Sequence, residues 1–294
     1  MLRWWRLSVL EYCPARPELA SFASDAPGTA RTLTYPGDVT SFADRLASAV
    51  EEKGAPLCIG IDPDPALMPE GVGLTEFCRG IVDAVAPVAA VVKPQTAFFE
   101  AQGAVGWAAL CDVCGYAREA GLLVLVDGKR GDVPSTMRAY AAALAPLADA
   151  VTVNPYLGKD SLEPFLAHDG LGIFAIVKTS NRGSADLQDV PLADGRPFWH
   201  HVAERVDAWG IEAVVGATHP EVLADARALM PRAVLLLPGV GAQGGRIDDL
   251  APAFSAGPAS ALPSASRSVI YADDPAAAAA ALSSELRALV SSAG

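Results

Sequence analysis

The chain repeats one alternation along most of its length: a short run of apolar, often β-branched residues, followed by a longer segment of helical composition. Segments of helical composition include 74–87, 104–120, 197–209 and 219–230. Continuous apolar runs are typical of parallel strands that are covered on both faces. The eight runs are LCIGID (57–62), AVVKPQ (90–95), LLVLVDGK (122–129), AVTVNPY (150–156), GIFAIVKTS (172–180), AVVGAT (213–218), VLLLPGV (234–240) and SRSVIYA (266–272).

Eight strands that alternate with helices predict an α/β protein with a closed (β/α)₈ TIM barrel, here spanning residues 39–294. A doubly wound open sheet is the alternative, but it normally has fewer strands and a glycine-rich turn after the first one. The first run ends instead in Asp62-Pro63-Asp64. The barrel is therefore the better interpretation, and its catalytic groups should lie at the carboxyl ends of the strands.

The segment before the first strand divides into two parts. Residues 1–38 have no sustained period and are rich in Pro, Ala, Ser and Thr, so we predict a poorly ordered extension. Order should begin at Thr40-Ser41, a plausible N-cap, with Phe42, Leu46 and Val50 at helical spacing and Gly54 at the end.

Charged residues of both signs follow the third apolar run directly, in the segment LVLVDGKRGDVPST (123–136). Residues two apart on a strand share a face, so Asp127 and Lys129 can both enter the barrel mouth. Lys93, at the end of the second run, would place a second cation there. In such an array the lysines stay protonated and the carboxylates ionised. It suits a reaction that loses negative charge at one atom and needs a proton delivered there.

A purely structural interpretation of these residues is also open. Asp132 could be the N-cap of the next helix, with Pro134 in its first turn, while Asp127 and Lys129 form a structural ion pair. That explanation is reasonable for Asp132 alone. It is weak for the whole set, because burying charges costs several kcal/mol per ion unless the geometry compensates.

The glycine-rich segment PGVGAQGG (238–245) follows the seventh run and predicts a phosphate site. Glycine lets the backbone approach an anion, and the loops after strands seven and eight of such barrels often bind phosphate. Arg267 could add a bidentate contact, although an ordinary tight turn remains the alternative for the glycines. Asp62 could cap a helix or contact a sugar hydroxyl, and Ser180 could be strand-end structure or bind a planar ligand edge.

Composition limits the classes of partner. The 294 residues carry 22 Lys and Arg against 34 Asp and Glu, a net charge of −12, which argues against a general nucleic-acid binder. We expect no membrane segment, since no apolar run is long enough to cross a bilayer. The five cysteines lack a disulfide-scaffold spacing and suggest the reducing cytoplasm. Cys111 and Cys114 form a CxxC, which we interpret as buried, helix-borne thiols and not as a metal site.

These motifs together resemble a known family. The segments VKPQTAFFE (92–100), DGKRGD (127–132, an instance of D-x-K-x-x-D) and PGVGAQGG (238–245) are similar to those of orotidine 5′-phosphate decarboxylases. NPYLGKDSLEPF (154–165) and VKTSN (177–181) bring the chain closer to the bacterial type 2 branch. The resemblance runs from about residue 40 to the C-terminus, and the motifs occur in the family's order. Pro134, where the family usually has glycine, and Asp64, where histidine is more usual, depart from the pattern.

The resemblance implies a TIM-barrel enzyme that converts orotidine 5′-phosphate to UMP and CO₂ without a cofactor or metal, as the last step of de novo pyrimidine biosynthesis. By this resemblance, Lys129 protonates C6 of the pyrimidine and Asp127 lies against the departing carboxylate. Lys93 orients the array and, like Asp62, contacts the ribose. Asp132 and Thr136 would reach the active site of a partner subunit, which implies a homodimer.

The remaining ligand contacts implied by the resemblance are spread over three loops. Ser180 would contact the pyrimidine edge, Gln243 would bridge phosphate and base, and Arg267 would bind the phosphate, with Gly241 also in the substrate site. Two alternatives remain open. One is a Mg²⁺-dependent sugar-phosphate decarboxylase or aldolase of the same superfamily, in which an acidic residue typically replaces Lys93. The other is a non-catalytic binder of phosphoribosyl ligands.

Overall fold

The structure, a computed structural model, describes residues 40–217, 220–240 and 245–292. Within these ranges, eight parallel strands form a closed barrel in which each strand pairs with the next and β8 pairs with β1. The predicted fold class is confirmed, while the predicted extension 1–38 lies outside the described residues. The strands are β1 (Cys58–Ile61), β2 (Val91–Pro94), β3 (Leu123–Arg130), β4 (Ala150–Val153), β5 (Gly172–Lys178), β6 (Glu212–Val215), β7 (Leu235–Pro238) and β8 (Ala261–Ala265).

Helices follow the strands around the outside of the barrel, four of them close to the predicted segments. None of the described helices is long and apolar enough to cross a membrane. The helices are α1 (Phe42–Lys53), α2 (Leu74–Val85), α3 (Thr96–Glu100), α4 (Gly103–Glu119), α5 (Pro134–Leu144), α6 (Lys159–Leu166), α7 (Ala185–Gln188), α8 (Phe198–Trp209), α9 (Pro220–Leu229), α10 (Arg267–Ile270) and α11 (Pro275–Ser292).

The last strand is not where the sequence predicts it. The predicted strand 266–272 contains the short helix α10, and β8 lies just before it, at Ala261–Ala265. The sequence ALPSA gives a weak strand signal because proline cannot donate a ladder hydrogen bond. All five residues of β8 are nevertheless buried, so burial within the closed barrel outweighs the local preference. Arg267 is consequently the first residue of α10 and not part of a strand.

Helix α1 closes the N-terminal end of the barrel. It begins after the N-cap Ser41, whose side chain accepts a hydrogen bond from the amide of Asp44, and it ends at Gly54 in the left-handed region, as predicted. Its apolar face packs on strand residues that point into the barrel, and the ring of Phe42 lies edge-on to that of Phe174 at 5.6 Å. In the part of the chain that the structure describes, α1 thus covers this end of the barrel, and the carboxyl ends of the strands form the opposite end.

One ionisable group at the N-terminal end should give the barrel a pH-dependent stability. The carboxyl group of Glu212, on β6, accepts a hydrogen bond from the amide of Val234. Burial raises its pKa to about 7, although the hydrogen bond and the charge of Arg227 oppose the shift. The folded protein therefore holds a proton that the unfolded chain releases near pH 4.5. The resulting stabilisation is complete below that pH and is lost as the pH rises through about 7.

We expect Glu212→Gln to remove this pH dependence. The amide oxygen can still accept the hydrogen bond from Val234, but the side chain no longer ionises. At pH 8 the variant should be more stable than the wild type by about 3 kcal/mol, and below about pH 4 the two should be equal. Urea unfolding of both proteins across this range measures the difference. If the free energies of unfolding of the two proteins differed by the same amount at every pH, the pH dependence would not come from Glu212.

Candidate active site

The polar residues predicted for the site lie where parallel strands end. Lys93 is in β2, Asp127 and Lys129 are in β3, and Asp62 directly follows β1. Because all strands of a parallel barrel point the same way, their carboxyl ends surround one mouth. The structure therefore brings these four charged residues to the open end of the barrel.

Asp127 stands at the centre of this group, between two lysines. Its Oδ2 accepts a hydrogen bond from Nζ of Lys93 at 2.8 Å, and its Oδ1 accepts one from Nζ of Lys129 at 2.6 Å. Asp127 and Lys93 are only 4% and 6% exposed, whereas the side chain of Lys129 is 41% exposed. The reachable ammonium is thus that of Lys129, and the other two groups are buried behind it.

The charges of the buried pair are stabilised mutually. Burial opposes ionisation of Asp127, but the ammonium groups of Lys93 and Lys129 outweigh it and hold its pKa well below the usual range. Burial would likewise lower the pKa of Lys93, yet the carboxylates of Asp127 and Asp62 raise it above the usual range. At neutral pH Asp127 is therefore a carboxylate and Lys93 an ammonium ion, as the sequence predicts.

Two uncharged side chains complete the shell around Asp127, and sequence reasoning missed both. Nε2 of Gln95 donates to Oδ2 at 3.0 Å, and Oγ1 of Thr152 donates to Oδ1 at 2.7 Å. Each carboxylate oxygen therefore accepts two hydrogen bonds. Gln95 could have been found, since it lies two residues after Lys93. Thr152 gives no such signal, because it is a single polar residue within the otherwise apolar run AVTV (150–153).

The backbone at Lys129 has an unusual conformation. Its φ angle is 45°, and among the described residues it is the one non-glycine residue with positive φ. Such a conformation costs on the order of 1 kcal/mol for a side chain like lysine. This conformation lies within a register shift between β3 and β4, which falls between Val126 and Arg130. In it, the side chain of Lys129 is directed toward Asp127.

Asp132 lies outside this cluster. It is two residues before α5 and its Oδ1 accepts a hydrogen bond from the amide of Val133 at 2.7 Å. Among the described residues it forms no ion pair. The alternative N-cap assignment is wrong, because Val133 is the N-cap and Asp132 precedes it, although Pro134 does occupy the first turn as predicted. Gly131 is needed here, since a Cβ at this position would lie 2.7 Å from Cβ of Asn154.

Asp62 has one satisfied and one unsatisfied oxygen. Oγ of Ser266 donates to its Oδ2 at 2.7 Å, and the hydroxyl of Tyr271 donates to its backbone oxygen at 2.8 Å. Its Oδ1 is buried and has no hydrogen-bond partner in the described part of the chain. A buried acceptor without a donor is costly, so this oxygen is suited to a ligand hydroxyl.

The other predicted site residues lie on separate segments of the chain. Ser180 follows β5, and Gly216 makes room for it, because a Cβ there would lie 2.8 Å from the amide nitrogen of Ser180. Thr136 is in the first turn of α5, three residues after Val133. Arg267 is exposed at the start of α10. The predicted ligand residues Gly241 and Gln243 lie outside the described residues.

The described residues include no group of three or more His, Cys, Asp or Glu side chains placed to hold a metal ion. Cys111 and Cys114 are both buried on α4, in agreement with their interpretation as helix-borne thiols. Both oxygens of Asp127 already accept hydrogen bonds from ammonium, amide and hydroxyl groups. The centre of the site is thus built from proton donors around one carboxylate.

Known proteins with similar sequences point to one family. Residues 55–282 match the family described as "Orotidine 5'-phosphate decarboxylase / HUMPS family". The chain is 45% identical over 262 residues to the orotidine 5′-phosphate decarboxylase of Roseiflexus castenholzii, a match that covers 85% of this chain and 96% of that protein.

Solved structures agree with the sequence matches. The OMP decarboxylase of Leishmania donovani superposes with a TM-score of 0.75 at 36% identity, covering 85% of this chain and 98% of that one. The UMP synthase of the same organism superposes with a TM-score of 0.77 at 38% identity, but this chain spans only 56% of the length of that protein. On the strength of the barrel, its lysine–aspartate cluster and these matches, the chain belongs to the orotidine 5′-phosphate decarboxylase family, an enzyme family of carboxy-lyases.

Proposed function

We propose that this enzyme converts orotidine 5′-phosphate to UMP and CO₂ without a cofactor, as the last step of de novo pyrimidine biosynthesis in the cytoplasm. The observation that carries the proposal is the buried carboxylate of Asp127 held between the ammonium groups of Lys93 and Lys129. Burying such a cluster costs several kcal/mol per ion before pairing compensates, and this cost is explained if the cluster performs chemistry.

The reaction breaks the bond between C6 of the pyrimidine and its carboxylate carbon. The electron pair stays on C6, and Lys129 donates a proton to it from Nζ. A fixed ammonium also stabilises the negative charge as it develops, because it is already oriented and needs no reorganisation. Asp127 faces the departing carboxylate and disfavours the charged substrate more than the transition state. Lys93 keeps Asp127 ionised and in place.

The rest of the substrate is bound around this centre. The unsatisfied Oδ1 of Asp62 is suited to a ribose hydroxyl, together with the ammonium of Lys93. Ser180 contacts the pyrimidine edge. Arg267 binds the phosphate, and an exposed guanidinium at the barrel mouth can do so with two parallel hydrogen bonds. Gln243 and Gly241, from the segment outside the described residues, complete the phosphate end.

We further propose that the active enzyme is a homodimer in which Asp132 and Thr136 enter the partner's site. Asp132 is half-buried and forms no ion pair in the described residues of a single chain. Exposed apolar side chains occur next to it in the chain and after the adjacent strand β4: Val133 is 49% exposed, and Tyr156 is 78% exposed. Exposed apolar surface of this kind is typical of protein–protein interfaces.

The Mg²⁺-dependent alternative is disfavoured by the groups around Asp127. A hard cation needs several free oxygen ligands, whereas both oxygens of this carboxylate accept hydrogen bonds from N–H and O–H donors. Lys93 would also place a positive charge within hydrogen-bonding distance of such an ion. A purely ligand-binding role would leave the cost of the buried charges unexplained.

We expect the purified protein to consume orotidine 5′-phosphate in the presence of excess chelator. The ultraviolet absorbance change of the nucleotide follows the reaction directly, and UMP can be identified chromatographically as the product. The rate should equal the rate without chelator. Loss of activity that Mg²⁺ restores would move the enzyme to the sugar-phosphate branch, and tight nucleotide binding without turnover would indicate a binder.

A further inference from the structure

Strands β3 and β4 do not pair continuously beside the site. Val126 pairs with Val151 and Arg130 pairs with Val153, so three residues of β3 stand opposite a single residue of β4, Thr152. A bulge of this kind interrupts the ladder and turns side chains away from their regular direction. Here the interrupted residues include Asp127 and Lys129, the two groups that face the substrate in the proposed function.

The hydroxyl of Thr152 bridges the gap left by the bulge. Its oxygen accepts a hydrogen bond from the backbone amide of Lys129 at 2.9 Å, and its proton is donated to Oδ1 of Asp127 at 2.7 Å. Thr152 is 1% exposed, so water does not compete for these bonds. One hydroxyl therefore fixes both the main chain of Lys129 and the carboxylate that Lys129 contacts.

The conformation of Lys129 makes this support necessary. Its positive φ is unfavourable for lysine and persists only where the surroundings hold it. The direction of the Lys129 side chain follows from that backbone conformation. A lysine released from it would move Nζ away from Asp127 and away from the atom that receives the proton.

We propose that Thr152 is a positioning residue for the proton donor Lys129, acting through its hydroxyl group. This inference rests on the proposed function and extends it to a residue that does not touch the substrate. Packing alone does not require a threonine here, because valine has nearly the same shape and valines flank the position on both sides. A buried hydroxyl is unfavourable unless it is hydrogen-bonded, and both bonds lead to the reacting groups.

Replacing the hydroxyl tests the proposal by kinetics. Thr152→Val keeps the shape and removes both hydrogen bonds, whereas Thr152→Ser keeps the hydroxyl. We expect T152V to lower kcat by about 100-fold with little change in KM, since displacement of a reacting group by about 1 Å costs that much. T152S should retain kcat within about fivefold. Ser283→Ala, which removes a buried hydroxyl from the remote helix α11, should behave as the wild type.

Crystal structures of ligand-free T152V and T152S provide a second measurement that does not depend on the substrate. In T152V, Lys129 should leave the positive-φ region and its Nζ should move away from Asp127; in T152S both should stay. An unchanged Lys129 conformation in T152V would overturn the proposal, whatever the activity of the wild type. Failure of the wild type to act on orotidine 5′-phosphate would by itself refute only the proposed function. Equal losses of kcat in T152V and T152S would also overturn it. If T152V does not fold, Thr152→Ala removes the same hydroxyl.

Discussion

Lys129→Ala should lower kcat on orotidine 5′-phosphate by more than about 1000-fold, because one side chain supplies both the proton and the charge stabilisation at C6. The contacts proposed for ribose and phosphate remain in this variant. Its affinity for UMP should therefore stay within about tenfold of the wild type, and KM should change far less than kcat. Initial rates from ultraviolet absorbance and calorimetric titration with UMP measure the two effects.

Lys53→Ala is the matched control, since Lys53 ends α1 at the closed end of the barrel. It should keep the wild-type rate. If Lys129→Ala kept its turnover within about tenfold of the wild type, a barrier change of only ~1.4 kcal/mol, Lys129 would not be the proton donor. The positioning role proposed for Thr152 would then also fail as an explanation of catalysis.

A mixture of Lys129→Ala and Asp132→Ala should be far more active than either variant alone. In the proposed dimer each site takes Lys129 from its own chain and Asp132 from the partner. A mixed dimer therefore has one site with both lesions and one with neither. After subunit exchange, each heterodimer should regain up to about half of the wild-type activity.

Exchange must be measured independently, for example by mass spectrometry of differently tagged subunits. Complementation in proportion to the heterodimer fraction would establish that the site is shared. Absence of recovery despite complete exchange would place Asp132 in the site of its own chain, or leave it as a structural residue before α5.

The sequence predicts the barrel well because buried parallel strands leave a clear signal. Seven of the eight predicted runs overlap an observed strand, five of them enclosing it completely, and α1 begins and ends where its caps indicate. The sequence misplaces the eighth strand because ALPSA contains Pro263, whereas the following SRSVIYA has the β-branched and aromatic residues Val269, Ile270 and Tyr271 that favour strands. Only closure of the barrel between β7 and β1 makes Ala261–Ala265 a strand.

The charged residues of the site can be predicted from the sequence, whereas the residues whose role depends on the register between strands cannot. Lys93, Asp127 and Lys129 are conspicuous because ionised residues rarely end apolar strands. Thr152 is inconspicuous, since its role arises from the bulge that places three residues of β3 opposite it. The unsatisfied oxygen of Asp62 likewise depends on the junction between β8 and α10, which local sequence patterns do not reveal.

The packing of α1 has a consequence for the order in which the protein can fold during synthesis. This helix precedes all eight strands, yet Leu46 and its neighbours are buried against residues as distant as Phe174, Val214 and Leu262. Until the ribosome has released β8, the surface that receives α1 is incomplete and its apolar face remains available for wrong contacts. Contacts of such long sequence separation slow folding and expose intermediates to aggregation. A nascent chain of this enzyme is therefore expected to need chaperone protection until translation is nearly finished.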